Sequence, residues 1–563
     1  MGHISDSFTI LYVALAAGIY LKPHYAIFNS RIVTAAVLFG IITVSRIVYQ
    51  LVLYPGYFTP LKHIYSPAER HWLRGNSTSF LLETPYAKLR ESVKNRPDQG
   101  LIRYYMIANL ERVAVTSPKA LGEVLVTKVY DFQKHELVRQ ALRRITGDGI
   151  LFAEGEEHKV NLTLQLPLCI DSNLQYLHQT QRKNILPAFA YRHIKNLYPV
   201  FWDKSIEMVK MIEKDLQSRK ASGDNDNTVQ ISDWASRASL DIIGVAGMDH
   251  DFDSLRDPNN TLNESYRKLT SSLPLIMRIL FVVSLLFGNP AWIHSLPTKR
   301  NKDVKESSKV IRNVARQMIR QKKAKLEDPN SETGIDIISV ALTSGTFDEE
   351  NLVDQSMTFL GAGHETTASA LQWAVYALCK NPNVQTRLRD EIRANLPSAD
   401  DPTPITAAAI DNLPYLHAVC NEVLRFHPSV PTTSREAVRD TTIAGTHVPK
   451  GTTLTMSPQL INRLEELWGP DANEFNPDRF MGPGKANTGG AVSNYAFLSF
   501  MHGPRACIGQ GFSKAELACL IAATVGRFHM ELKFPDAELE IRLGATIAPK
   551  DGVLALLTPL EGW

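Results

Sequence analysis

Phe500-Met501-His502-Gly503-Pro504-Arg505-Ala506-Cys507-Ile508-Gly509 runs directly into a helix-forming stretch, Phe512 to Ile521. A thiol set just ahead of a helix faces the positive end of the dipole and free N–H groups, which favour the thiolate. That is the setting of a metal ligand. Gly503 and Gly509 let the backbone turn and approach a flat partner where any side chain would collide. Phe500 can pack beside the sulfur, and Arg505 supplies a cation for a carboxylate. A lone cysteine in an apolar run is ordinarily a buried hydrophobe. Here a ten-residue pattern needs explaining.

Further segments stand in order before this loop. Asp348, with Glu349 and Glu350, opens a helical pattern that runs to Asn381-Pro382, an acidic start and a proline stop. The helix would be about 50 Å long. At its middle lies Ala362-Gly363-His364-Glu365-Thr366-Thr367. Ala and Gly there let a ligand lie against the backbone, and a Thr hydroxyl bonding back to a carbonyl opens the helix locally. Glu422 and Arg425 fall three apart on a helix begun near Asn412-Leu413-Pro414 and ended by His427-Pro428, so they share a face.

The loop fits F-x-x-G-x-R-x-C-x-G and resembles the haem-ligand loop of the cytochrome P450 family at every specified position. The mid-helix segment resembles that family's oxygen-activation motif A-G-x-[DE]-T-T. The resemblance covers nearly all of residues 60–563. It implies a mainly α fold with a minor β part, built as a single large haem domain. The implied cofactor is heme b, its iron held axially by the Cys507 thiolate, which pushes electron density toward oxygen. Phe500, Gly503, Arg505 and Gly509 would form the haem-binding loop, and Arg435, past the Pro431 turn, would join Arg505 on the propionates. Glu365 and Thr366 would relay protons. Glu422 and Arg425 would form a buried network closed by Arg479, within Phe475-Asn476-Pro477-Asp478-Arg479-Phe480, that keeps the thiolate loop rigid. Leu360 and Ala362 on the long helix, Val430, Thr432 and Thr433 after the E-x-x-R helix, and the stretch Leu273 to Phe287 are the implied substrate contacts.

One departure stands out. The family carries an aromatic or histidine residue and a basic residue four apart, both facing a propionate. Here His158 and Arg182 are 24 apart, and removing 20 residues restores the spacing. The excess, residues 160–179, has Pro167, few charges and no helical face. It reads as retained intron sequence or as a true surface loop, since long insertions are tolerated when their ends stay close.

At the amino terminus, two apolar stretches, residues 8–21 and 32–54, make residues 1–60 a membrane anchor ahead of a catalytic domain at 61–563. The second spans about 34 Å as a helix, against roughly 30 Å of hydrocarbon. Arg46 is its one charge. A cleaved signal peptide is the competing reading of residues 1–21. Pro55, Pro60 and Pro67, interleaved with Lys62, Arg70 and Arg74, end the helix in a basic hinge. Positive flanks stay in the cytosol, so the domain should face it from the endoplasmic reticulum membrane. Leu273 to Phe287 reads as a core helix or as one dipping into the membrane surface. The sequons at Asn76, Asn161, Asn259 and Asn263 matter only for a domain facing the lumen.

Composition narrows the class. The 563 residues are 44% hydrophobic and 21% charged, with 61 basic against 58 acidic side chains. A net charge of +3 gathers no nucleic acid. Five cysteines without a C-x-x-C pair describe neither a disulfide scaffold nor a zinc finger. β-type runs near residues 101–116, 440–455 and 540–559 interrupt helical periodicity.

The resemblance then implies a fungal-type haem-thiolate monooxygenase inserting one oxygen atom from O2 into a lipophilic small molecule in secondary or lipid metabolism. The chain stops soon after the thiolate, at Trp563, so electrons are expected from NADPH-cytochrome P450 reductase, with cytochrome b5 as a second donor. Lys514 and His502 would lie on the docking face. The alternatives are a haem-thiolate isomerase or dehydratase, which commonly lacks the acid–alcohol pair, and a non-catalytic haem or lipid binder.

Overall fold

A computed structural model describes residues 30–76, 86–95, 100–152, 177–271, 274–286, 290–329, 336–542 and 544–563. The apolar stretch 8–21, His158, Asn161 and residues 160–176 of the insertion lie outside them. Helices dominate and strands are short, the mainly α arrangement with a minor β part expected from the sequence. The chain forms two compact units interleaved along its length. One comprises Met1–Leu137, Leu273–Pro297 and Ser434–Met456; the other, Val138–Ser272, Thr298–Thr433 and Ser457–Trp563.

In the first unit, the Ser30 side chain caps a helix over Arg31–Val48, which continues through Tyr49–Phe58 as a π-helix containing Pro55. The expected stop at Pro55 is therefore corrected. Proline cannot donate to the carbonyl four residues back and its ring collides with it, but widening the turn to i−5 bonding relieves both. Thr59 N–H accordingly bonds to Tyr54 O at 2.9 Å. Ile32–Phe58 is long and apolar enough to cross a membrane. Ile32, Phe39, Ile41 and Val44 are exposed along it, while Arg46 is buried.

The segment leaving Phe58 is no loose hinge. Thr59 Oγ1 donates to Glu111 Oε1 at 2.8 Å, and Tyr105 OH reaches the same oxygen at 3.0 Å. Asn109 Nδ2 donates to the carbonyls of Leu51 and Trp72 at 2.6 and 2.8 Å. These bonds fasten the helix end to a hairpin of Leu101–Tyr105 and Glu111–Val115. The hairpin begins a five-stranded sheet, which continues through Thr453–Met456 and Thr433–Ala437 to Phe132–Lys134. Asn76 is buried, with Oδ1 accepting from Tyr105 N–H at 2.9 Å, so it cannot carry a glycan as folded.

The helix Leu275–Leu286, also in this unit, buries Met277 and Ser284 but exposes Leu275, Ile276, Ile279 and Phe281. Of the two readings offered for it, the core helix is overturned.

The second unit is organised by the helix Glu349–Lys380. Its start is set by Asp348, whose Oδ1 accepts from Asn351 N–H at 2.8 Å, and Pro382 opens the next helix, Pro382–Asn395. The long helix packs against Ile231–Met248, Lys299–Glu327 and Gln510–Arg527. Trp373 is fully buried on it, donates Nε1–H to Ile547 O at 3.0 Å and stacks on His427 with ring centroids 4.3 Å apart. Truncating such a ring costs about 3–5 kcal/mol. A sheet of Thr228–Gln230, Leu554–Pro559 and Phe528–Leu532 completes this unit's β structure with the short pair Ile541–Arg542 and Ala548–Pro549.

Candidate active site

The cysteine loop is folded by its own backbone. Cys507 N–H donates to Phe500 O at 2.9 Å, and Ala506 N–H to Gly503 O at 3.0 Å. Met501 and Gly503 take left-handed conformations, φ 57° and 76°, that make the tight reversal possible. Gly509 caps the helix Gln510–Arg527. A Cβ built on Gly509 would meet only Phe189 Cε1, at 3.7 Å, so contacts within the chain do not require glycine there.

Cys507 is exposed. Although its surface is open, the protein mass around it desolvates the sulfur and pushes the thiol pKa up; the Gly509 N–H and the Arg182 guanidinium pull it back down. The N–H at the helix start thus acts in the expected direction, toward the thiolate, against desolvation.

Arg182 comes to this loop from the helix Leu177–Ile185, donating Nη2–H to Ala506 O at 2.8 Å. Its neighbour Gln181 fixes that helix to the long one. Gln181 Oε1 accepts from Gln355 at 3.0 Å and Gln181 Nε2 donates to Asn351 at 3.2 Å. Phe500 carries the Lys514 ammonium 5.9 Å from its ring centroid, and Phe497 carries it at 5.5 Å. Burial pushes the Lys514 pKa down, and His502 Nε2 pairs with Phe497 O at 3.1 Å. His502 is thus turned to its own loop, and Lys514, on the helix Gln510–Arg527, lies over two rings of the same loop.

On the long helix, Thr366 Oγ1 donates to Ala362 O at 2.7 Å, the expected back-bond. It does so without breaking the helix, contrary to the expected local opening, because Oγ1 uses a second lone pair of that carbonyl. Ala362 is exposed. Gly363 serves packing instead of a ligand, since a Cβ there would stand 3.1 Å from Ile243 Cδ1 and Cγ1. Glu365 turns away from Thr366, as consecutive helical residues must. Its Oε1 accepts from Thr546 Oγ1 at 2.9 Å and lies 3.5 Å from Arg542 Nη2. Burial raises the Glu365 pKa against the opposing pull of Thr546 and Arg542.

Glu422 and Arg425, both fully buried, pair with Oε2···Nε at 2.6 Å and Oε1···Nη2 at 2.8 Å. Arg425 also donates to the carbonyls of Asn462, Ala472 and Glu474 at 2.7–2.8 Å. Arg479 Nε reaches Glu422 Oε1 at 3.2 Å, and its Nη2 reaches Asp471 Oδ2 at 2.9 Å. Asn462 links this network to the cysteine loop. Its Nδ2 donates to Arg425 O at 3.1 Å and Ser499 Oγ at 2.9 Å, and its Oδ1 accepts from Leu498 N–H at 2.8 Å. Sequence reasoning missed Asn462 and Asp471, which no motif spacing marks. It also missed Glu516, the one acid within the apolar run from Ala515 to Val525.

Among the implied substrate contacts, Leu360 has no exposed surface and is withdrawn, because its neighbours on the long helix's packed face enclose it. Thr432 is exposed, and Val430 and Thr433 are half-buried. Arg435 lies in the other unit, buried on its strand opposite Lys134, with Nη1 donating to Ser434 O at 2.9 Å. Arg505 is half-buried in the turn Gly503–Arg505.

These residues fit a haem held by one protein sulfur: an exposed thiol on a loop of two left-handed turns, with a guanidinium fixed to that loop. Among the described residues no group of three or more His, Cys, Asp or Glu could hold an ion by itself.

Comparison with known proteins agrees with this donor set. A profile of the cytochrome P450 family matches residues 66–553. The chain is 57% identical over 565 residues to cytochrome P450 monooxygenase sphH of Aspergillus fumigatus, with all of both chains covered. It is 40% identical over 534 residues to cytochrome P450 monooxygenase FSL4 of Gibberella zeae, covering 92% of this chain and 91% of that one. A third relative, cytochrome P450 monooxygenase FUM15 of Gibberella moniliformis, is 38% identical over 569 residues, with 92% of each covered.

Proposed function

The chain belongs to the cytochrome P450 family and is a haem-thiolate monooxygenase, and from that premise we propose that Cys507 is the axial ligand of its heme b. The exposed thiol on a loop clamped by Arg182 is the observation that carries this reading. When bound, the haem supplies oxygen activation. The protein's own residues do the rest. Phe500, Gly503 and Gly509 shape the loop around the sulfur; Arg182, Arg435 and Arg505 offer guanidinium groups to the propionates, with His158 as a further candidate. The Glu422–Arg425–Arg479 network, through Asn462, holds the loop in register. Glu365, its pKa raised by burial, takes up and releases a proton at Oε2, and the Thr366 hydroxyl orients water beside Ala362.

The substrate is a lipophilic small molecule of fungal secondary or lipid metabolism, met by Ala362, Val430, Thr432 and Thr433. Residues 1–60 anchor the domain 61–563 to the endoplasmic reticulum membrane on its cytosolic side, a reading the apolar helix Ile32–Phe58 supports. Electrons come from NADPH-cytochrome P450 reductase, with cytochrome b5 as a second donor. Residues 160–179 are a surface loop or retained intron sequence, which sequencing the transcript distinguishes. None of the named relatives favours the isomerase, dehydratase or binder alternatives.

The test is the absorption spectrum of the reduced, carbon-monoxide-treated protein. A thiolate-type band is expected in the native chain and its loss in Cys507→Ser; a native protein without haem, or an unchanged band in the variant, overturns the reading. Product analysis in cells expressing the chain with a reductase and offered a lipid panel identifies the substrate.

A further inference from the structure

His364, the residue between Gly363 and Glu365, is buried and takes no part in the chemistry above. Its Nε2 stands 2.8 Å from Ser236 Oγ on the helix Ile231–Met248, and Ser236 Oγ donates to Asn263 Oδ1 at 3.0 Å. With the Ser236 proton directed to Asn263 Oδ1, the 2.8 Å bond takes the tautomer in which His364 Nε2–H donates to Ser236 Oγ. That arrangement leaves Nδ1 an acceptor. Burial pushes the His364 pKa down to about 4, so the ring is neutral.

Asn263 lies on the helix Thr261–Thr270, and Tyr266, three residues on, shares its face. The Tyr266 ring centroid is 5.0 Å from that of His364, and its Cε1 lies 4.0 Å from where a Cβ on Gly361 would stand. All three side chains are buried, and each has a buried polar atom without a partner among the described residues: His364 Nδ1, Asn263 Nδ2 and Tyr266 OH. One acceptor, one two-proton donor and one hydroxyl thus lie on buried side chains packed beside the helix segment that carries Glu365. A buried water needs about two to four polar partners, and orphaned buried groups are otherwise costly. The inventory matches a water that donates to His364 Nδ1, accepts from Asn263 Nδ2 and exchanges a bond with Tyr266 OH.

We propose that Asn263, Tyr266 and His364 build a water site against the long helix, and that this water supplies protons to the neighbouring carboxylate of Glu365. Glu365 Oε1 is taken by Thr546 and Arg542, while Oε2 accepts no hydrogen bond from the described residues and is free for such a chain. The Glu365 charge also acts on the Tyr266 hydroxyl, raising its pKa beside the larger effect of burial. The water gives a proton to Oε2, and bulk solvent is the proton source that returns the hydroxide so formed to water; His364, Asn263 and Tyr266 hold that water and none of them ionises. Asn263, Tyr266 and His364 are thus positioning residues. The sequon at Asn263 is unusable in the folded chain, because its amide is buried in this cluster.

The proton-supply role rests on the monooxygenase reading; the water site does not. A high-resolution crystal structure of the native full chain should show an ordered water within hydrogen-bond distance of all three atoms, and Tyr266→Phe should lose or displace it. With reductase and NADPH, Tyr266→Phe should at least double both the hydrogen peroxide released per NADPH and the solvent deuterium isotope effect on NADPH oxidation, with the reduced carbon-monoxide band retained. Asn263→Leu provides a second variant with the same expected change. A dry native site, a substrate group seated there in its place, or peroxide yield and isotope effect unchanged in both variants overturns the proposal. A native chain lacking the thiolate band would instead strike the haem reading, and the crystal would still decide the water.

Discussion

Thr367 Oγ1 donates to Oε2 of Glu516 at 3.1 Å, joining the long helix to the helix that leaves the cysteine loop. Glu516 is buried, its Oε1 has no partner among the described residues, and burial pushes its carboxyl well above the ordinary range. In the unfolded chain it ionises near pH 4.3. Unfolding therefore releases a proton, and this residue's contribution to stability falls as pH rises above that value. Glu516→Gln, which keeps the planar shape and the oxygen acceptor and cannot ionise, should be more denaturant-resistant than the native chain at pH 8 and equal to it near pH 4. Glu516→Ala, which orphans Thr367 and opens a cavity, should cost about 2–4 kcal/mol near pH 4 and less at pH 8, where the native chain has lost part of this residue's contribution. Urea unfolding at the two pH values measures both.

Arg425→Lys is expected to be no milder than Arg425→Ala. The guanidinium gives all five N–H protons to protein acceptors, two to Glu422 and three to carbonyls, and an ammonium has three protons on a different geometry. Leaving Glu422 buried and part-unpaired costs about 3–5 kcal/mol. Haem content per purified chain and the urea midpoint should both fall. Full haem loading in the lysine variant would contradict the assignment.

Asp471→Asn should be much milder. Burial alone would raise the Asp471 pKa, but the Arg479 hydrogen bond and charge win and lower it. The carboxylate is 37% exposed, so solvent screens the pair and about 0.5–1 kcal/mol is the expected loss at pH 7. Because the folded pKa is depressed, that contribution exists above the unfolded value and vanishes as pH falls through the folded one. Native and variant stabilities should converge in acid.

Gly363→Ala should cost about 1–2 kcal/mol through collision with Ile243, and Ile243→Val in the same chain should recover part of it. A double-mutant cycle on thermal unfolding reads the coupling. Additive effects would mean the two helices are free to separate.

Glu111→Leu removes the carboxylate that Thr59, Tyr54 and Tyr105 share. Limited proteolysis should then cut residues 59–66 at least several-fold faster, with cleavage elsewhere unchanged. Equal rates would show that the Asn109 bonds alone hold the helix end.

Much of the scaffold was legible because it is written in local chemistry. The Asp348 cap and the Asn381-Pro382 stop bound the long helix within a residue, and the E-x-x-R spacing put Glu422 and Arg425 on one face. Phe132–Lys134 and Thr228–Gln230 are three residues each, too few to show a period, and the alternating F-H-M-E-L of Phe528–Leu532 runs straight on from a helical pattern. Pro55 misled because the rule that proline ends a helix assumes i−4 bonding, which the π-turn avoids. Asn462 and Glu516 were invisible for another reason: their partners lie 37 and 149 residues away in the chain.

The saturation of Arg425 constrains what this chain can become. Any one-codon change at Arg425 or Glu422 strands donors or acceptors that are fully buried, and one at Arg479 takes a donor from the buried Glu422, so each lone step leads downhill. An apolar replacement could be tolerated only if all three changed together. Mutational drift and stepwise laboratory evolution should both circle this trio without entering it, and a redesign of the cysteine loop would have to exchange it as one block.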